Sequence, residues 1–314
     1  MKNQVKMKNV MIIVLSLIIS SAMAQTKPFR VPFSGQGKKV LINIQQTTVE
    51  IEGYDGADVI LEQTGENRKE LPKEAEGLRL FTDGVVDNTG LGANVEVEGS
   101  TLKITVPKNK YAGVLIIKVP KNLNLNVTET QGWGTNKLTI SDIAGEIEVE
   151  SFATKLFLND ITGPLVANNQ KGRIFVSYTK VNQSSPSSIH ARDAIDITLP
   201  ADTKANLKIK SYYGDLFTDL DIVGVKKEVK ENASASTSVS GKVAAVEKTG
   251  VVTINGEGQV NNKVNINRDE YPGQKAYAYV GNRTPDNFEG TINGGGVTID
   301  LKSSNGNIYV RKKK

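Results

Sequence analysis

Short runs in which apolar and polar residues alternate fill most of the chain between Val40 and Val310. The runs are rich in valine and isoleucine, and glycine, asparagine, aspartate and proline separate them. Because successive side chains of a β-strand point to opposite faces, this period of two predicts strands with one buried face. Clear examples are Val49-x-Ile51, Leu102-x-Ile104-x-Val106, Leu123-x-Leu125-x-Val127, Ile195-x-Ile197-x-Leu199 and Ile308-x-Val310.

Proline and glycine mark the ends of these runs. Three of the runs finish on proline, at Pro107, Pro120 and Pro200. Proline has no amide hydrogen for the ladder, so it fits a strand end. Beyond the first residues, only 66–80 could hold a helical turn, and the proline and glycine within it oppose a longer helix.

A repeat of 18 residues organises the middle of the chain. The segment 138–149 aligns with 156–167 throughout, and a third copy begins near Ile174 and then drifts. Repeats of this length indicate a repeat architecture. The recurring residues are Asp142 and Asp160, Ile143 and Ile161, and Gly145 and Gly163.

One copy of this repeat is too small to bury its own apolar face. Stacking the copies as coils would place residues i and i+18 above one another at about the 4.8 Å spacing of neighbouring strands. The recurring glycine would allow the backbone corner between them. The pattern therefore predicts an all-β fold, a single-stranded parallel β-solenoid (β-helix-like) with coils of about 18 residues. An antiparallel β-sandwich is the alternative.

The first 24 residues have the three parts of a secretory signal peptide. A lysine-rich start precedes an apolar run over 10–19, and Ala22-Met23-Ala24 supplies a small-x-small cleavage site. The apolar run is too short to span a bilayer alone. We therefore expect export, cleavage before Gln25, and no transmembrane segment in the mature chain. A retained membrane anchor is the less favoured alternative.

Charge and cysteine content narrow the function classes. The chain has no cysteine, so we expect neither a lipoprotein nor disulfides nor thiolate metal sites. The formal net charge of +5 falls to about +2 once Lys2, Lys6 and Lys8 leave with the signal peptide. We predict no nucleic-acid partner for such an exported chain. Its expected location is the periplasm, the cell surface or the medium.

The segment 223–250 departs from the alternating pattern. It holds a charged run and then a run of alanine, serine, threonine and valine, which predicts either a flexible insertion or long polar exposed strands. The sequence thus divides into a signal peptide (1–24), an N-terminal β region of the solenoid (25–127), repeat coils (128–222), this polar insertion (223–250) and C-terminal coils (251–314).

Further motifs occur at the start, in the middle and at the end of the mature chain. They are Val49-Glu-Ile51-Glu-Gly53-Tyr54-Asp55-Gly56 near the start, Ile195-Asp-Ile197-Thr-Leu199-Pro200 and Tyr213-Gly214-Asp215-Leu216 in the middle, and Gly290-Thr-Ile292-Asn293-Gly294 and Ser304-Asn305-Gly306-Asn307-Ile308 at the end. These segments resemble the opening strand, the coils and the closing coils of a family of exported bacterial proteins known as "putative adhesins", whose function is uncharacterised. The resemblance implies a β-solenoid domain and an adhesin-like role, and it supplies no catalytic or binding residues. Ala194 stands where that family usually has a glycine.

Polar residues suggest no catalytic constellation. His190 is the single histidine, with no cysteine in the chain and no Gly-x-Ser-x-Gly motif, so we interpret it as a structural or surface residue. Asp142 and Asp160, like the acidic residues of 215–221, could hold calcium if stacked. The preferred interpretation is that the two repeat aspartates cap their own turns. We therefore predict no catalytic residue, no cofactor and no metal site.

Aromatic residues give the one ligand hypothesis. Trp133 lies in Gln131-Gly-Trp133-Gly134, a loop-like setting, and Tyr277 and Tyr279 point to one face of a strand. Exposed rings there could stack on sugars; alternatively each ring covers a neighbouring coil. The leading hypothesis is a non-enzymatic structural or interaction protein of the cell envelope, whose partner is an envelope protein or a glycan. A carbohydrate-binding module comes second, and a polysaccharide-cleaving solenoid enzyme third.

Overall fold

A computed structural model describes residues 27–64, 72–108, 113–130, 137–181, 183–224 and 286–314. The predicted signal peptide (1–24) and most of the segment 223–250 lie outside these residues. Over the described part the chain is all-β, as the alternating pattern predicts, with a single short 3-10 helix at Lys73–Ala75. That turn falls within the predicted segment 66–80. Within the described ranges no helix has both the length and the apolar character that a bilayer crossing requires.

The strands follow the alternating runs closely. The first half holds β1 (Phe29–Pro32), β2 (Lys39–Gln45), β3 (Val49–Tyr54), β4 (Asp58–Thr64), β5 (Phe81–Thr82), β6 (Val85–Val86), β7 (Asn94–Glu98), β8 (Thr101–Val106), β9 (Val114–Pro120), β10 (Asn124–Thr130), β11 (Lys137–Ser141) and β12 (Ile147–Ser151). The second half holds β13 (Lys155–Ile161), β14 (Leu165–Asn169), β15 (Arg173–Tyr178), β16 (Ser187–Ala191), β17 (Ile195–Leu199), β18 (Ala205–Ser211), β19 (Leu216–Thr218), β20 (Ile222–Gly224), β21 (Asp286–Ile292), β22 (Val297–Ser303) and β23 (Ile308–Lys312). Three strands end at or directly before Pro107, Pro120 and Pro200, the prolines that were expected at strand ends.

Two large mixed sheets contain nearly all of these strands. Over the described residues, sheet A has ten strands in the order β1-β4-β9-β3-β11-β13-β15-β17-β23-β19. Sheet B has eleven, in the order β20-β21-β18-β22-β16-β14-β12-β10-β2-β8-β7. Most neighbouring strands are parallel, whereas antiparallel pairs such as β4–β9, β7–β8 and β18–β21 lie at the ends. A separate small hairpin joins β5 and β6.

The core lies between the two sheets. Most strands of the two sheets bury every second side chain, as in β12, where Ile147 and Val149 are buried and Glu148 and Glu150 are exposed. Inward residues of both sheets join one apolar cluster, in which Tyr178 is the largest fully buried side chain. The alternating pattern of the sequence is thus explained by burial, because one face of each sheet packs into the apolar core and the other faces outward.

The 18-residue repeat is confirmed as a register between neighbouring strands. Leu138 on β11 lies beside Leu156 on β13, which lies beside Ile174 on β15. In sheet B, Ile147 lies beside Leu165 in the same way. Equivalent positions of successive copies thus stack directly upon each other.

Two strand pairs near the ends of the described chain lie inside the sheets and not at their edges. Strands β2 and β3 lie between β8 and β10 and between β9 and β11, respectively. Strands β22 and β23 likewise lie between β16 and β18 and between β17 and β19. The pairs β2–β3 and β22–β23 are therefore internal, whereas the first strand, β1, lies at the edge of sheet A. Neither insertion was expected from the sequence.

The recurring glycine is required by close packing of neighbouring backbones. A Cβ built on Gly163 would lie 2.1 Å from the carbonyl oxygen of Gly145, and one on Gly306 would lie 2.5 Å from the amide nitrogen of Ala194. Neither glycine has a positive φ. The expected reason, conformational freedom at a corner, is therefore replaced by a steric one, since only hydrogen fits between the stacked corners.

A row of inward polar residues closes the turns that lead from sheet B to sheet A. Asn169 accepts hydrogen bonds from the amides of Lys171 and Gly172 and donates to the carbonyl of Ala153. Ser303 accepts from the amide of Gly306. These buried side chains satisfy backbone groups that the turns leave unpaired. The row consists of Glu129, Ser151, Asn169, Ser303 and Ser211.

Candidate functional site

The aromatic residues chosen from the sequence, Trp133, Tyr277 and Tyr279, all lie outside the described residues. Their proposed contact with a ligand therefore stays a prediction. The structure places the remaining candidates, His190 and the repeat aspartates, on the outside of the two sheets.

His190 lies half-buried on the outer face of sheet B, between Asn168 on β14 and Lys302 on β22. Burial lowers the pKa of His190, and the charge of Lys302 lowers it further, while Asp300 raises it. These contacts belong to a side chain packed on a sheet surface.

The repeat aspartates lie at or near the ends of strands in sheet A: Asp142 directly follows β11, and Asp160 lies where the register of β13 with β15 shifts. Asp142 and Asp160 both have positive φ, 58° and 52°. The carboxylate of Asp160 accepts a hydrogen bond from Thr179 Oγ1 at 3.0 Å and pairs with Lys313 Nζ at 3.2 Å. These partners directly follow β15 and β23, so both contacts of the Asp160 carboxylate reach outside its own turn. Throughout the described ranges, no three histidine or acidic side chains converge to hold a metal ion.

The most unusual surface is the outer face of sheet A, where two phenylalanines form a ladder. Phe157 on β13 lies in register beside Phe175 on β15, and their rings stack at 4.8 Å between centroids with an interplanar angle of 11°. Both side chains are partly exposed. Because the rings stack on each other, they present one apolar ridge along the direction in which the strands are stacked.

A row of cations runs beside this ridge. Lys137, Lys155 and Arg173 lie in register on β11, β13 and β15, each two residues before the aromatic row, and all three are exposed. Lys137 Nζ lies 3.4 Å from Glu50 Oε1 and 5.8 Å from the centre of the Phe157 ring. In the described part of the chain, Lys155 and Arg173 make no ion pair.

The aromatic row continues past an acidic residue. Asp196 on β17 lies beside Phe175, and Tyr309 on β23 follows it. Tyr309 stacks on Phe217 of β19 at 5.3 Å, and Arg311 pairs with Asp196 at 2.8 Å and lies over the Tyr309 ring. The charges of this second patch are thus neutralised within it, which distinguishes it from the row of cations.

Sequence reasoning missed the Phe157–Phe175 ladder, although the repeat carried the signal. The two phenylalanines are 18 residues apart at outward positions, as are Lys137 and Lys155, and Lys155 and Arg173. The same offset that aligned the apolar positions therefore aligns these side chains on the surface.

Comparison with known proteins gives little further information. No protein-family model matches the sequence, and no curated protein matches it. The chain is similar to the crystal structure of a "putative cell adhesion protein" from Clostridium sporogenes ATCC 15579, with 11% sequence identity and a TM-score of 0.39. That alignment covers 91% of this chain and 99% of the other. A likeness at this level carries no argument about function, so the resemblance to the adhesin family stays a prediction.

Proposed function

We propose that this chain is a non-enzymatic, adhesin-like β-solenoid of the cell envelope that binds its partner through the outer face of sheet A. The observation that carries the proposal is the in-register ladder of Phe157 and Phe175 beside Lys155 and Arg173. No other described part of the surface brings stacked aromatic rings and cations without a paired carboxylate into adjacent rows.

The solenoid assignment is supported by the order of the strands. Consecutive strands alternate between the sheets, so that β12 and β14 lie in sheet B while β13 and β15 lie in sheet A. Each return places the chain one strand further along, in parallel register. Parallel neighbours need such a crossover, whereas the antiparallel β-sandwich named as the alternative is built from hairpins.

The outer face of sheet A is suited to binding through side chains because the backbone of its inner strands is already paired. Strands β13 and β15 have neighbours on both sides, so their peptide groups are engaged in the ladder. A partner can then be recognised only through outward side chains. Apolar rings at the surface gain free energy when a partner covers them, by about 25 cal/mol per Å² of buried apolar area.

The proposal is tested by cosedimentation of the purified chain, from residue 25 onward, with intact cells and with isolated cell-wall polymers. The variant Phe157→Ser/Phe175→Ser removes the ridge. The matched control is Val166→Ser, which removes an exposed apolar side chain from the outer face of sheet B. Circular dichroism verifies that each variant is folded.

We expect the double variant to lose binding to the cell-derived material, while the Val166 variant binds as the parent does. Equal binding by the parent and a folded double variant would overturn the role of this face. Cleavage of a cell-wall polymer by the purified chain would instead establish an enzyme.

A further inference from the structure

We propose that the partner of sheet A is an acidic polysaccharide, whose anionic groups lie along Lys137, Lys155 and Arg173 while its sugar rings contact the Phe157–Phe175 ridge. This assignment rests on the proposed binding role of the same face. It is carried by the spacing of the cations, by the absence of a carboxylate between them, and by the side chains of the adjacent rows.

The cations form a regular row because their strands are in register. Neighbouring parallel strands lie about 4.8 Å apart, so Lys137, Lys155 and Arg173 project at this interval along the stack. A polymer with one acidic group on each repeat unit has a comparable periodicity. Several of its charges can therefore meet the row at once, and simultaneous contacts strengthen binding well beyond one pair.

The row of cations is expected to destabilise the protein when no ligand is bound. Like charges directly opposite each other on neighbouring strands destabilise a sheet. Among the described residues, the one ion pair made by this row is that of Lys137 with Glu50, at its edge. The next row on the same face, Thr139, Phe157 and Phe175, contributes no carboxylate between the cations. A bound polyanion would remove the repulsion.

Beyond the aromatic row lies a third row that contains hydroxyl and amide groups. It consists of Ser141, Asn159 and Ser177, which are partly exposed and lie two residues after Thr139, Phe157 and Phe175. The face therefore has a cationic row, an apolar row and a hydrogen-bonding row side by side. Acidic sugars carry three matching groups, namely an anionic group, a C–H surface and hydroxyl groups. The negative face of an aromatic ring attracts polarised C–H groups of the sugar.

Other anionic partners fit this arrangement less well. An acidic peptide that adds to a sheet needs a free strand edge, and β13 lies in the middle of sheet A. An anionic membrane would meet the cations but would leave the polar row without a matching partner. On the outer face of sheet B, the same coil carries the exposed Glu148 and Glu150, which would repel a polyanion there.

The experiment measures binding of labelled oligogalacturonate and of heparin fragments to the purified chain by fluorescence anisotropy. The charge variant is Lys155→Gln/Arg173→Gln. The matched control is Lys39→Gln/Lys208→Gln, which removes the same charge from exposed positions of sheet B. Maltohexaose, polyglutamate and vesicles of phosphatidylcholine with phosphatidylglycerol are tested in parallel.

We expect saturable binding to at least one acidic glycan and none to maltohexaose, with affinity that falls as salt rises. The charge variant should bind about tenfold more weakly, since it removes two of the three cations of the row. The sheet B control should change affinity by no more than about twofold. The Phe157→Ser/Phe175→Ser variant should weaken glycan binding as well.

Failure to bind either acidic glycan would overturn the proposal, as would an equal loss in the two charge variants. Equally tight binding to polyglutamate or to the vesicles would also overturn it, since charge alone would then suffice. The cell-binding assay separates this failure from that of the proposed function. If the charge variant still binds cells and the phenylalanine variant does not, the face keeps its role and only the acidic ligand is wrong.

Discussion

Ile195 lies directly beside Ile308 in parallel register, and Ile308 in turn lies beside Leu216. The last strand of sheet A thus separates two strands, β17 and β19, that follow one another in that sheet along the chain. In sheet B, β22 separates β16 and β18 in the same manner. The C-terminal strands therefore complete the interior of the stack and do not extend its end.

Removal of the C-terminal strand pair should abolish cooperative folding. A chain that ends at Gly296 lacks four buried apolar side chains, each of which contributes roughly 1.5–3 kcal/mol when buried. Their sum is comparable to the whole stability of a typical domain. The four residues are Ile299, Leu301, Ile308 and Val310.

Thermal unfolding followed by circular dichroism measures this effect. A chain that ends after Lys312 is the control, because it retains both strands and should unfold close to the midpoint of the parent. A cooperative transition of the shorter chain near the parental midpoint would show that the stack does not depend on its inserted strands. Stack ends that fray independently, as in ordinary repeat proteins, would give that result.

The parts of this fold that the sequence could predict are those determined by local pattern. The offset between Leu138 and Leu156 gave the register of β11 and β13, because stacked repeats place equivalent residues side by side. Nothing comparable marks β22, since Ile299-x-Leu301 would fit against any inward face of sheet B. Which strands become the neighbours of β22 depends on where the other strands of sheet B leave room for it, and this is determined by the whole stack.

The candidate site likewise has one part that the sequence could predict and one part that it could not. Phe157 and Phe175 could have been found from the repeat, because their offset alone places them side by side on an outer face. The absence of a carboxylate near Lys155 depends on the side chains of strands that are neighbours only in the fold. The prediction of Trp133 rested on exposure of a ring in a loop, which carries no information about register.

Gly163→Ala should destabilise the protein by about 1–3 kcal/mol, the usual cost of forcing an extra carbon into a packed interior. The added Cβ would lie 2.1 Å from the carbonyl oxygen of Gly145, so the two corners would have to separate. Gly224→Ala is the control, since the nearest atom to its Cβ would be 3.7 Å away. Urea denaturation of both variants measures the difference, and equal stabilities would contradict the steric role of Gly163.

Ser151→Ala should lower the free energy of unfolding by about 1–3 kcal/mol, because it leaves a buried acceptor with fewer donors. Ser151 Oγ donates to Glu129 Oε2 at 2.6 Å and accepts from the amide of Ala153 at 3.0 Å. Removing the hydroxyl leaves that amide without its acceptor, and Glu129 Oε2 keeps only the Phe152 amide of its two donors. The exposed Ser188 on sheet B provides the matched alanine variant. If the Ser188 variant proves equally unstable in urea, the buried network has no special role.

Stability should fall steeply at high pH because of Tyr178. Burial raises the pKa of Tyr178 from 10.0 to about 12, although hydrogen bonds with Ser187 and Gln183 lower it. The folded protein therefore holds the phenolic proton more tightly than the unfolded chain does. The stabilisation is fully present below pH 10 and is lost as the pH rises towards about 12. The expected slope is about 1.4 kcal/mol per pH unit in that window.

Urea denaturation of the parent and of Tyr178→Phe, at neutral pH and at several values across this window, isolates the contribution of the one phenol. At neutral pH the variant should be less stable by about 0.5–1.5 kcal/mol, since Tyr178 shares a hydrogen bond with Ser187 at 3.1 Å. As the pH rises the difference should shrink and then reverse, because phenylalanine has no proton to lose. Tyr213→Phe, at an exposed position, should follow the parent throughout. A constant difference between the parent and Tyr178→Phe at every pH would mean that the buried phenol ionises no later than an exposed one.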